Sequence, residues 1–197
     1  MSMLIMPVTA NNGLWELLKF KRHIMYQNMN FDGRKGLNMK RAFFIIGPEG
    51  CGTYMLAEAF VSAGCTYCDQ EDVDRYLAQE QPHEMTLRRS LPHAGAWPNI
   101  EQIAKQMEAR FYEVNFLWII REQYAAKRSV IARKPVYTAF EYEKAIQIIG
   151  NNLDRFGGRL ISYEYFVLSP EYRKNIFSEF KLPPPEMEFY DGNRQYY

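Results

Sequence analysis

Residues 42–64 constrain this chain more than any other stretch. Ala42-Phe43-Phe44-Ile45-Ile46 is an uninterrupted apolar run, the pattern of a strand buried on both faces. Gly47-Pro48-Glu49-Gly50-Cys51-Gly52 follows. Then Leu56, Ala59, Phe60 and Ala63 recur at helical spacing until Gly64 stops the pattern. Strand, glycine turn and helix in that order aim backbone N–H groups and a helix N-terminus at one spot, which suits a phosphate. The glycines let the main chain come close to an anion, and Thr53 adds a hydroxyl donor.

Three loop chemistries compete for this segment. The nucleoside-triphosphate loop needs Gly-x4-Gly-Lys-Ser/Thr. Gly47 and Gly52 have that spacing, but Thr53 follows Gly52 directly and the lysine is missing. Because that lysine neutralises the β- and γ-phosphates, its absence counts against triphosphate hydrolysis. A cysteine phosphatase would use Cys51 as a thiolate at a helix N-terminus. Its loop also needs an arginine soon after the cysteine, and residues 52–61 contain none. Cys51 therefore reads as a small residue filling a tight turn.

The third chemistry rests on more than one segment. Pro48-x-x-Cys51-Gly52-Thr53 resembles the 5′-phosphosulfate loop of the sulfotransferases, typically Pro-Lys-Ser-Gly-Thr-Thr. Val114-Asn115-Phe116-Leu117-Trp118-Ile119-Ile120 is a second buried strand, with Arg121 just past its end and Ser129 eight positions on, inside a helix. Arg-x7-Ser at a strand end is similar to that family's 3′-phosphate signature. An arginine at the carboxyl edge of a sheet and a hydroxyl two turns along the next helix can converge on one phosphate. Leu87-Arg88-Arg89-Ser90-Leu91-Pro92-His93 resembles the Thr-His-Leu-Pro segment that carries the catalytic histidine. Arg159-Leu160-Ile161-Ser162-Tyr163-Glu164-Tyr165-Phe166, then Ser169-Pro170 and a helix ending near Phe180, looks like the late Tyr-Glu strand and its following helix. On these motifs, spanning roughly residues 41–182, the chain is identified as a small, divergent member of the sulfotransferase family.

The resemblance implies a P-loop NTPase-like, three-layer α/β domain over residues 41–197. It implies sulfuryl transfer from 3′-phosphoadenosine-5′-phosphosulfate to a hydroxyl or amine acceptor, with no divalent metal. Pro48, Glu49, Gly50, Cys51, Gly52, Thr53 and Tyr54 would hold the 5′-phosphosulfate, and Arg121 and Ser129 the 3′-phosphate. Two departures bear on catalysis. The family's loop lysine aligns with Gly50, so its cation must come from elsewhere; Arg88 and Arg89 are the nearest. The family's histidine aligns with Ser90, and His93 lies three residues later. A neutral imidazole accepts a proton near pH 7, so His93 is the first choice of base. Arg89 and Ser90 are assigned to the catalytic segment with it, and Glu49 is the fallback. The late Arg-Lys-Gly segment has only Gly192-Asn193-Arg194 in its place. A non-catalytic nucleotide-binding member of the same fold, or a P-loop kinase acting on a small molecule, stays open beside the transferase.

Composition sets the frame. A chain of 197 residues, 47% hydrophobic, can bury a real core. Its net charge of +1 leaves no footprint for nucleic acid. No apolar run approaches the ~20 residues of a membrane helix and no secretory pattern is present, so the expectation is a cytoplasmic protein. Three cysteines fit a reducing compartment. Cys65-x2-Cys68 lacks the second pair that a zinc site needs. Residues 1–40 read as a docking helix (Leu14, Trp15, Leu17, Leu18) and a polar linker. The acidic run 69–74 reads as a solvated loop. Further along, Met85–Leu91 reads as a strand. Helices are expected around Ile100–Phe111 and Tyr142–Phe156, and Arg133-Lys134-Pro135 ends the helix that carries Ser129. Strand–helix alternation of this kind implies a parallel sheet covered on both faces. The aromatic tail after Pro183-Pro184-Pro185 reads as packed across the core or as a substrate lid.

Overall fold

The computed structural model describes residues 40–68, 84–93, 95–110, 112–132 and 139–197. The expected N-terminal helix and linker, up to residue 39, lie outside these residues. So do the acidic run 69–74 and the Arg133-Lys134-Pro135 stop.

The strands are β1 (Lys40–Pro48), β2 (Thr66–Cys68), β3 (Glu84–Leu91), β4 (Tyr112–Ile120) and β5 (Arg159–Ser162). They form one sheet in the order β2-β3-β1-β4-β5, and every pairing is parallel. The helices are α1 (Thr53–Ser62), α2 (Ile100–Glu108), α3 (Gln123–Ile131), α4 (Ala139–Phe156), α5 (Tyr163–Leu168) and α6 (Pro170–Glu179). The fold is therefore α/β.

Period-two alternation along the strands divides the core. Phe43 and Ile45 of β1 and Leu117 and Ile119 of β4 pack with Leu56 and Phe60 of α1, Phe166 of α5 and Phe177 of α6. Phe44, Ile46, Phe116 and Trp118 face the other way, onto Ala104 and Met107 of α2 and Ala145 and Ile149 of α4. This is why the apolar runs of β1 and β4 are continuous: each strand is covered on both sides.

Two local readings need correction. The segment 159–166 does not continue as a strand through Tyr163-Glu164. β5 stops at Ser162, whose hydroxyl accepts from the Tyr165 N–H at 3.4 Å and caps α5, a serine role that competes with strand extension. Thr66–Cys68, which the cysteine pair obscured, is a short strand beside β3. Cys65 and Cys68 are both buried, and neither is in a disulfide.

β1 and β4 are neighbours whose outgoing connections diverge. β1 leads through α1 towards β2, and β4 leads through α3 and α4 to β5 on the opposite side. A crevice at the carboxyl ends of two such strands is where open parallel sheets bind ligands. It places the 49–52 loop beside Arg121.

Candidate functional site

The loop after β1 begins with a four-residue turn in which the Cys51 N–H donates to the Pro48 carbonyl at 3.1 Å. Gly50 is in the left-handed region at φ +84° and Gly52 at φ +87°, conformations that other residues adopt at a cost. Space also excludes side chains. A Cβ on Gly50 would meet the Ala126 carbonyl oxygen at 2.6 Å, and one on Gly52 would meet the Tyr163 ring at 2.7 Å. Position 50 therefore has no room for a lysine side chain. Gly52 is the N-cap of α1 and offers no side-chain cap, so the first-turn N–H groups keep their affinity for an external acceptor. Thr53 is buried and Tyr54 exposed.

Cys51 lies inside the protein against Ala126, Val130 and Tyr142. Burial pushes its thiol up to about 12, against bonds from the Arg121 backbone and the Tyr142 side chain. It is the packed small residue of the loop and carries no thiolate at neutral pH. Folded protein at pH 8 is accordingly expected to leave Cys51 unmodified by iodoacetamide, with labelling at that peptide only after denaturation. Mass spectrometry reads this directly, and rapid native labelling of Cys51 would contradict its packing.

Arg121 is the centre of the site. It follows β4, is 8% exposed, and its carbonyl accepts from the Tyr142 hydroxyl at 2.7 Å. Its Nη1 donates to the Gly50 carbonyl at 2.8 Å, tying the arginine to the loop. Nε donates to Asn193 Oδ1 at 2.6 Å. Nη2 is buried without a partner. The guanidinium carbon lies 4.4 Å from the Tyr163 ring centre and 5.7 Å from that of Tyr196. Glu164 ties these pieces together, its Oε1 accepting from Glu122 N–H (2.8 Å) and Asn193 Nδ2 (3.1 Å). Glu122 caps α3 through the N–H groups of Tyr124 and Ala125. Burial works against the Glu122 charge, but the Tyr197 hydroxyl and those two N–H groups hold its carboxyl below the usual range. Ser129 is half-buried on α3, next to the Ala126/Val130 side that faces the loop.

Arg89, Ser90 and His93 lie at and just past the end of β3. Register pairs Ser90 with Gly47 and Leu91 with Pro48, and the Glu49 N–H donates to the Leu91 carbonyl at 3.2 Å. Ser90 Oγ and His93 Nδ1 share a hydrogen bond of 3.0 Å. His93 is held by a two-way backbone bridge to Ala96. The chain after Pro92 thus turns His93 back onto Ser90. The two arginines part company, because neighbouring residues of a strand point to opposite faces. Arg88 donates to the Tyr67 hydroxyl at 3.0 Å and stacks 5.3 Å from the Tyr54 ring centre, beside the first turn of α1. Arg89 is buried and bonds the Arg88 carbonyl at 2.8 Å.

Three contributors were missed as such: Tyr163, Glu164 and Asn193. Tyr163-Glu164 was legible only as a strand, and Asn193 only as a weak stand-in for a basic segment. Among the described residues no group of three His, Cys, Asp or Glu side chains could hold a metal. No helix among them is long and apolar enough to cross a membrane. A scan against protein-family models finds no match, and neither does a search of the curated proteins.

Proposed function

We propose that this chain is a sulfotransferase that uses 3′-phosphoadenosine-5′-phosphosulfate and passes the sulfuryl group to a hydroxyl or amine. The reading is carried by Arg121, bonded to the carbonyl of Gly50 with Nη2 buried and unpartnered. A buried charged donor without an acceptor is costly, and a phosphate oxygen is the acceptor its chemistry suits. The uncapped N-terminus of α1 supplies the second anion-binding element. In the transfer, a lone pair of the acceptor attacks sulfur and the bond from sulfur to the bridging phosphate oxygen breaks. Its electrons leave with adenosine 3′,5′-bisphosphate, and the acceptor's proton goes to His93. Arg88, beside the first turn of α1, takes the charge-stabilising place of the absent lysine.

Adenosine 3′,5′-bisphosphate is expected to bind roughly 10- to 150-fold more tightly than adenosine 5′-monophosphate, the gain of one charge-assisted bond. Arg121→Ala should remove that preference and leave monophosphate affinity nearly unchanged. Isothermal titration tests both, and equal affinity in the unaltered protein would end this reading. The crowding at Gly50 favours a second one: with no lysine possible there, the domain binds the nucleotide without transferring anything. Labelled donor and a screen of sugars, phenols and amines separate the two.

A further inference from the structure

Lys144 lies on α4 beside the turn that carries His93. The first turns of α4 stand at the carboxyl end of the sheet. Tyr142 donates to the Arg121 carbonyl at 2.7 Å and packs with Cys51, and Ala145 joins the core cluster of Ile46 and Trp118. The chain after β3 comes to meet this helix. His93 and Ala96 form a two-way backbone bridge of 2.7 and 2.9 Å, and Trp97 follows at once. Trp97 is half-buried against the cluster that includes Ile46, Leu91 and Trp118. The Lys144 ammonium lies over it, 4.1 Å from the ring centre. Among the described residues this half-buried lysine has no ion pair and no hydrogen bond. Further along the same helix Arg155 is paired with Glu101 at 2.7 Å. An aromatic face attracts a cation and fixes its place without neutralising it. A strongly hydrated ammonium held half out of water in this way keeps its affinity for an anion.

We propose that Lys144 determines acceptor specificity, and that the acceptor is a hydroxyl or amine compound bearing a carboxylate or sulfate group. This rests on the reading of the chain as a sulfotransferase with His93 as its base. The two anion-binding elements assigned to the nucleotide lie elsewhere. Arg121 stacks on Tyr163, in the same core cluster as α1, whereas Trp97 packs with the cluster on the other face of the sheet. The charge of Lys144 is therefore left for the second substrate. Lys144 takes the acceptor's anionic group, and the adjoining turn presents His93 to its hydroxyl or amine. Because Trp97 fixes the ammonium, the contact positions the acceptor as well as attracting it. A neutral acceptor of the same shape gains nothing from it.

The test uses the full chain, labelled donor and acceptors in matched pairs: glucose and glucuronate, N-acetylglucosamine and its 6-sulfate, 4-methylphenol and 4-hydroxybenzoate. In a pair that is turned over, kcat/KM should favour the acidic member by roughly 10- to 150-fold, the gain of one charge-assisted bond. Lys144→Met keeps an unbranched chain over Trp97 and removes the charge. It should bring the ratio close to one, with bisphosphate affinity and thermal midpoint little changed. Lys144→Arg should retain most of the preference. A lysine that merely pinned Trp97 would leave the ratio intact in Lys144→Met. Where no pair is turned over, calorimetry on protein saturated with adenosine 3′,5′-bisphosphate reads the same ratio as affinities. Equal use or equal binding of acidic and neutral members, binding of neither, or a full ratio in Lys144→Met overturns the role of Lys144. The reading of Arg121 then stands on its own nucleotide test. If the unaltered protein does not distinguish bisphosphate from monophosphate, both fall.

Discussion

His93→Ala is expected to cut sulfuryl transfer by ~10²–10⁴ while nucleotide affinity stays nearly constant. His93 Nδ1 and Ser90 Oγ share a hydrogen bond of 3.0 Å, and a neutral imidazole accepts a proton near pH 7. Ser90 is itself anchored, paired in register with Gly47 at the root of the loop. On the reading of His93 as the base, Ser90 is the residue that orients it. Ser90→Ala should therefore lose less than His93→Ala. The measurement is initial rate with labelled donor once an acceptor is in hand. Full turnover in His93→Ala would pass the role to Glu49, whose backbone already bonds the end of β3.

Phe60→Ala is expected to destabilise the domain by about 3–5 kcal/mol, the range for removing a fully buried aromatic ring. Phe60 is wholly inaccessible. Its ring centre lies 4.9 Å from that of Phe43 on β1 and 4.8 Å from that of Phe177 on α6. It is the side chain by which α1 grips both the sheet and the helix behind it, so a cavity there loosens the helix whose N-terminus faces the crevice. At roughly 2–4 °C per kcal/mol for a domain of this size, the thermal midpoint should fall by about 10 °C. Tyr165→Ala, at a ring 62% exposed, should cost under about 0.5 kcal/mol and serves as the control. Urea midpoints read both. A loss below about 1 kcal/mol at Phe60 would mean that α1 is not held by this aromatic stack.

The legible parts of the fold were those in which one element's own residues set its state. The run Ala42–Ile46 and the glycines after it announce strand, turn and helix because both signals are local: apolar continuity for burial on two faces, and glycine for φ near +85° at Gly50 and Gly52. Arg121 could be placed at a strand end from Val114–Ile120 alone. The pairing of Ser90 with His93 was nearly legible, since three residues separate them. Tyr163-Glu164 was misread because β-propensity outweighed one capping serine, and the cap won once Ser162 had an N–H to accept from.

The sequence by itself determined a parallel α/β sheet with a glycine turn after its first long strand, because periodicity and turn chemistry act within a few residues. The tertiary structure alone decided the strand order, which puts β4 next to β1 and brings Arg121 to the loop. It decided that Gly50 cannot be a lysine, since the obstruction is a backbone carbonyl of α3. It decided which of two adjacent arginines reaches α1, since strand alternation assigns opposite faces but only packing says what covers each. And it brought Asn193 to Arg121 across 72 positions of chain. A pattern of spacing describes one element's surface, whereas contacts between distant segments depend on how buried faces and unpaired polar groups are satisfied together, and that is settled only when the whole chain packs.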